Sequence, residues 1–171
     1  MTNWLVEGLF PKGHCIMIAG VPGSMKSWIV EHLALCVATG KPLFGTLATQ
    51  KGHVILVDQD TPKDILEKLG TGRLNRLALG LGTSLDKIDD LSVRSMVNFQ
   101  LTNSTDVAVL KAECELFDNS VIIFDSLGTT SGNINLNDTQ AAIKIASIWN
   151  NLKSANCTII IVHHVSLKTL K

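Results

Sequence analysis

The chain has 171 residues, 46% of them hydrophobic and 18% charged, and its 15 basic and 15 acidic residues cancel to a formal net charge of zero. That length suffices for one domain with a proper core, and the balanced charge excludes the global basic footprint of a nucleic-acid binder or a membrane-surface protein. No apolar run approaches the roughly 20 residues of a membrane span, and Met1-Thr2-Asn3-Trp4 lacks the regions of a secretory leader, so one cytoplasmic domain over residues 1–171 is expected. The four cysteines, Cys15, Cys36, Cys114 and Cys157, form no C-x-x-C pair. Lying in strand-like and helix-like apolar segments, they are expected to be buried, reduced thiols.

In chain order, residues 1–13 read as a lead-in and turn. The apolar run Cys15-Ile16-Met17-Ile18-Ala19 then meets Gly20-Val21-Pro22-Gly23-Ser24-Met25-Lys26-Ser27, followed by Trp28 and a helical pattern with Ile29, Leu33, Cys36 and Val37 on one face. Strand, glycine-rich turn, helix is the context of a phosphate-binding loop, where backbone N–H groups and a helix N-terminus converge on an anion. Lys26 is expected to reach the β- and γ-phosphates and Ser27 to bind Mg²⁺. Met25 departs from the G-x-x-x-x-G-K-[ST] pattern, which places glycine there. A methionine is accommodated only with negative φ and a side chain directed away from the nucleotide.

The run His53-Val54-Ile55-Leu56-Val57 predicts a second strand, ending in Asp58-Gln59-Asp60 and Thr61-Pro62, with Pro62 suited to open a helix reaching about Leu69. Residues 70–90, with four glycines and no clean period, read as a loop with room for a short helix. A weak strand over 91–97 and a helix over 106–117 follow. Ser120-Val121-Ile122-Ile123-Phe124-Asp125-Ser126 has the pattern of a strand buried on both faces of a parallel sheet, with Asp125 at its carboxyl end. Asn137 and Gln140 resemble a capping box for a helix carrying Ile145, Ile148, Trp149 and Leu152. The last strand, 158–162, ends in His163-His164.

Strands alternating with helices predict an α/β fold, a mostly parallel sheet between two helical layers. Ligands of such sheets bind beyond the carboxyl ends of the strands, and here four strand ends carry chemistry: the phosphate loop, Asp58 and Asp60, Asp125, and His163-His164. Phosphoryl transfer needs a metal, a carboxylate to hold it and a group to orient water. Asp125 fits the metal-holding role, Asp60 or Asp58 the water-orienting one, and the histidines could sense the γ-phosphate. For His14, His32 and His53 a plain core or surface role is the better reading.

Together the phosphate loop, Val54-Ile55-Leu56-Val57 with its acids and proline, Val121-Ile122-Ile123-Phe124-Asp125-Ser126-Leu127 and Val162-His163-His164-Val165-Ser166 resemble the RecA-like P-loop ATPases, most closely the branch of RepA-type replicative helicases and related AAA-domain ATPases. The resemblance implies a three-layer α/β/α RecA-like core that binds ATP through residues 20–28. It gives Lys26 and Ser27 to phosphate and Mg²⁺, Asp125 to the metal, and the catalytic position to Asp60, where the family usually has glutamate. It also implies that His163 and His164 link nucleotide state to DNA-contacting loops, in a homo-oligomeric ring with DNA as partner and no membrane association. Such proteins continue past the histidine strand, so a chain truncated at its C-terminus is expected. A nucleotide-binding regulatory module with little turnover is the alternative.

Overall fold

The apolar runs of the sequence become neighbours in one sheet. The computed structural model describes residues 3–132, 138–153 and 156–165. A two-stranded antiparallel hairpin, β1 (Trp4–Val6) and β2 (Phe10–Pro11), leads into β3 (Cys15–Gly20) and α1 (Lys26–Thr39). There follow β4 (His53–Asp58), α2 (Lys63–Glu67), α3 (Arg73–Gly80), β5 (Leu91–Ser95), α4 (Ser104–Cys114), β6 (Ser120–Asp125), α5 (Leu127–Thr130), α6 (Thr139–Lys153) and β7 (Cys157–His164). The main sheet has the order β3-β7-β6-β4-β5, with every pairing parallel.

Each central strand is an unbroken apolar run because both of its faces are covered. Successive side chains alternate between faces, so the strands divide their residues between two cores. Val54, Leu56, Val121, Ile123, Ile160 and Val162 pack with Val30, Leu33, Ala34 and Val37 of α1 and with Leu74 and Ala78 of α3. Ile55, Val57, Ile122, Phe124, Ile159 and Ile161 pack with Val107 and Leu110 of α4 and Ile145 and Leu152 of α6. At roughly 1.5–3 kcal/mol for each large aliphatic side chain removed from water, these two cores are the main drive for folding. The result is the three-layer α/β/α arrangement.

Four details differ from the sequence expectations. Helix α1 is buried nearly all round, including Val30, Ala34 and Leu35, because α3 covers the flank that the sheet leaves open. Residues 70–90 hold the short helix the loop reading allowed for and more order besides: α3 occupies 73–80 and a 3₁₀ turn spans Leu85–Lys87. Leu74 and Ala78 are buried against α1, and Leu77 and Leu81 pack beside them, a helical spacing that the flanking glycines obscure. The second helix ends at Glu67, short of Leu69. Finally, Cys15 is exposed, since β3 is an edge strand covered among the described residues only on its α1 face, whereas Cys36, Cys114 and Cys157 are buried; all four thiols are free. Asn137 lies outside the described residues, and Asp138 accepts the Gln140 backbone N–H at 3.1 Å at the start of α6.

Candidate nucleotide site

Strand parity fixes which side chains can meet. On β4, Val54 and Leu56 face α1, so Asp58 does too; on β6 the same holds for Val121, Ile123 and Asp125; on β7 for Ile160, Val162 and His164. Asp58 and Asp125 are register partners on adjacent strands. His163 has the opposite parity and points to the α6 side, so the tandem histidines are separated by the sheet. Only His164 lines the cavity at the loop.

That cavity, about 250 Å³, is bounded by Gly23, Ser24, Met25, Lys26, Ser27, Trp28, Arg73 and His164. A slightly larger one, about 320 Å³, is lined by Glu67, Asn75 and Asp86 among the aliphatics Leu69, Leu85, Ile88, Leu91 and Val93, and no lysine or arginine lines it. At the loop, the Lys26 ammonium donates to the Val21 carbonyl at 2.7 Å and to the Ser24 hydroxyl at 3.2 Å, folding over its own turn. Ser24 Oγ also donates to Val21 O at 2.8 Å, so the turn is braced from within. Gly20 underlies this: a Cβ there would meet Ser24 Oγ at 3.0 Å and crowd the lysine stem.

Met25 does not have the negative φ expected of it. It is left-handed, φ 61° and ψ 19°, and caps α1 without a side-chain hydrogen bond. The turn itself demands that conformation, which is why glycine suits the position. Its side chain is 64% exposed at the cavity wall.

Asp125 is 2% exposed, and neither of its carboxylate oxygens has a hydrogen-bond partner of good geometry among the described residues. Burial pushes its carboxyl above the ordinary range; the nearby Ser27 hydroxyl pulls it back, Asp58 and Asp60 raise it further, and His164 lowers it. Asp60 is exposed at the end of the turn beyond β4, where its backbone N–H donates to Asp58 Oδ1 at 2.9 Å. Asp60, Asp125 and His164 each bring one ligand atom within 4.8 Å of the others, so these three strand ends do converge.

Sequence reasoning missed a second charged cluster beneath the loop. Glu31, fully buried on α1, forms an ion pair with Arg73 of α3 at 2.5 Å, and the same guanidinium lies 3.5 Å from Asp58 and donates to Thr61 Oγ1 at 2.9 Å. Arg73 also lies over the Trp28 ring, 5.8 Å from its centroid. Two buried carboxylates share one guanidinium, so full ionisation would leave one negative charge uncompensated. Burial accordingly pushes Glu31 up to about 8 despite the pull of Arg73, with Asp58 and Asp125 adding to the rise. The signal was an acid placed four residues after Ser27 in an otherwise apolar helix. His53, by contrast, is the core histidine expected: it meets Glu113 at 3.1 Å and stacks on Phe117.

The AAA domain family matches residues 1–169. The chain belongs to that family. Among solved structures, this AAA domain is similar to a KaiC-like protein from the hyperthermophilic archaeon Pyrococcus horikoshii OT3, with a TM-score of 0.61 at 14% identity over 94% of the chain. The match covers 65% of that protein, a likeness of fold. A comparison with curated protein sequences finds no match. The AAA domain is thus a RecA-like P-loop ATPase fold, and nucleotide binding and hydrolysis are the family's expectation.

Proposed function

We propose that this domain binds ATP with Mg²⁺ in the cavity over residues 20–28 and hydrolyses it, working on DNA within a homo-oligomer. The observation that carries the ATPase reading is the convergence of the phosphate loop, Asp60, Asp125 and His164 on the α1 side of the sheet. In this reading the loop amides and Lys26 hold the phosphates, and Lys26 exchanges its bonds to Val21 and Ser24 for phosphate oxygens. Ser27 and Asp125 hold the metal, whose role is to neutralise charge on the β- and γ-phosphate oxygens. The orphaned oxygens of buried Asp125 suit a cation or its water shell. Asp60 orients the attacking water, and His164 faces the γ-phosphate. His163, on the other face, has no direct part. DNA and the ring enter through the resemblance of the strand-end motifs alone.

A second reading, a nucleotide-binding switch with little turnover, is favoured by Asp60, whose carboxylate is exposed and one methylene shorter than glutamate. Phosphate release measured with and without single-stranded DNA, comparing wild type with Asp60→Asn, separates the two. Release that is faster in wild type by at least about tenfold supports catalysis through Asp60. Equal rates in both proteins overturn it in favour of the switch.

A further inference from the structure

We infer that Asp60, Asp125 and His164 form a nucleotide-independent site for a first-row transition-metal dication, held directly by two carboxylates and one imidazole. This goes beyond the ATPase reading, in which Ser27 and Asp125 hold Mg²⁺ alongside phosphate. It needs neither the nucleotide nor the serine.

Three observations support it. One ligand atom from each residue lies within 4.8 Å of the other two. Three ligands spread around a common ion at 2.0–2.2 Å stand about 3.5–3.8 Å apart, so closure from the present spacing requires a shift of about an ångström. The residues that would move are the exposed ones, Asp60 and His164, whereas Asp125 is fixed in the sheet. The second observation is independent of spacing: Asp125 is 98% buried, and neither carboxylate oxygen has a hydrogen-bond partner of good geometry among the described residues, the Ser27 hydroxyl being the neutral donor near it. A buried carboxylate without well-aligned donors is costly unless a cation meets it. Third, the three come from the carboxyl ends of β6 and β7 and from the turn after β4, with β6 hydrogen-bonded between β4 and β7, so the framework beneath them is continuous.

The donor set selects the metal. Mg²⁺ takes oxygen ligands and keeps much of its water, whereas an imidazole nitrogen beside carboxylates suits Mn²⁺, Co²⁺ and Zn²⁺. Affinity is expected to rise from Mn²⁺ through Co²⁺, with Mg²⁺ weaker than either.

The test uses Mn²⁺ alone, without nucleotide. Loss of the free-ion electron paramagnetic resonance signal reports binding, and electron spin-echo modulation from a coordinated ¹⁴N reports the imidazole. The wild type is expected to bind Mn²⁺ and show ¹⁴N modulation. His164→Ala, a change at an exposed strand end, is expected to lose the modulation and to bind about tenfold more weakly or worse. His163→Ala is expected to keep both. Absence of Mn²⁺ binding at millimolar concentrations, absence of ¹⁴N modulation in wild type, or its persistence in His164→Ala would each overturn the site. A wild type that binds Mn²⁺ but not ATP contradicts the ATPase reading alone, and the reverse result contradicts this inference alone.

Discussion

Met25 holds a left-handed conformation that L side chains adopt at a cost of roughly 1–2 kcal/mol. Met25→Gly is therefore expected to raise stability by about 1 kcal/mol in chemical denaturation, and Met25→Val, β-branched at the same φ, to lower it. Asp125 presents a different tension. Its buried carboxylate stands near Asp58 and Asp60 without a hydrogen-bond partner of good geometry among the described residues, an arrangement that favours cation binding over stability. Asp125→Asn is expected to raise the stability of the metal-free protein by on the order of 1 kcal/mol while abolishing Mg²⁺-dependent phosphate release. Unchanged turnover would remove Asp125 from the site. Glu31 adds a pH dependence. Below about pH 4.5 both folded and unfolded chains hold its proton; between there and about 8 only the folded chain does. The unfolded state then binds fewer protons, so stability falls as pH rises through that window and levels off above it. The slope amounts to roughly 3–5 kcal/mol in total and is expected to flatten in Glu31→Gln, as read from denaturation midpoints across pH.

At the scale of elements, α3 matters more than its short length suggests, because it carries Arg73, the only cation that Glu31 and Asp58 share among the described residues. Arg73→Ala leaves two buried acids unpaired. It is expected to cost about 3–5 kcal/mol at pH 9 and less at pH 6, where Glu31 is protonated; an equal cost at both would contradict the raised Glu31 carboxyl. This helix was also the least legible in the sequence. Leu74, Leu77, Ala78 and Leu81 have helical spacing, but Gly70, Gly72, Gly80 and Gly82 around them read as punctuation. The buried strands β4, β6 and β7 were legible because a continuous apolar run ending in a charged group has few other meanings in an α/β chain. The same parity that made two cores also determines that His164 and not His163 reaches the loop, a conclusion available only once the face of one residue per strand is known. The Glu31–Arg73 pair was illegible because its partners lie 42 positions apart, one of them in a segment without clear periodicity.

For the whole molecule, the strand order places β3, β7, β6 and β4 side by side, so the loop after β3 and the ends of the next three strands share one rim. That rim is where an open parallel sheet binds ligands, and the AAA domain family matches almost the entire chain. The zero net charge gives no general field to attract a polyanion; in the proposed function, nucleotide affinity comes from the local donors of residues 20–28. The most direct measurement is calorimetric titration of Mg²⁺-ATP into wild type and Lys26→Ala under identical conditions. Saturable binding near one ATP per chain in wild type, weakened at least about tenfold in Lys26→Ala, is the predicted result. Equal binding by both proteins, or none by either, would contradict the assignment of this rim as the nucleotide site.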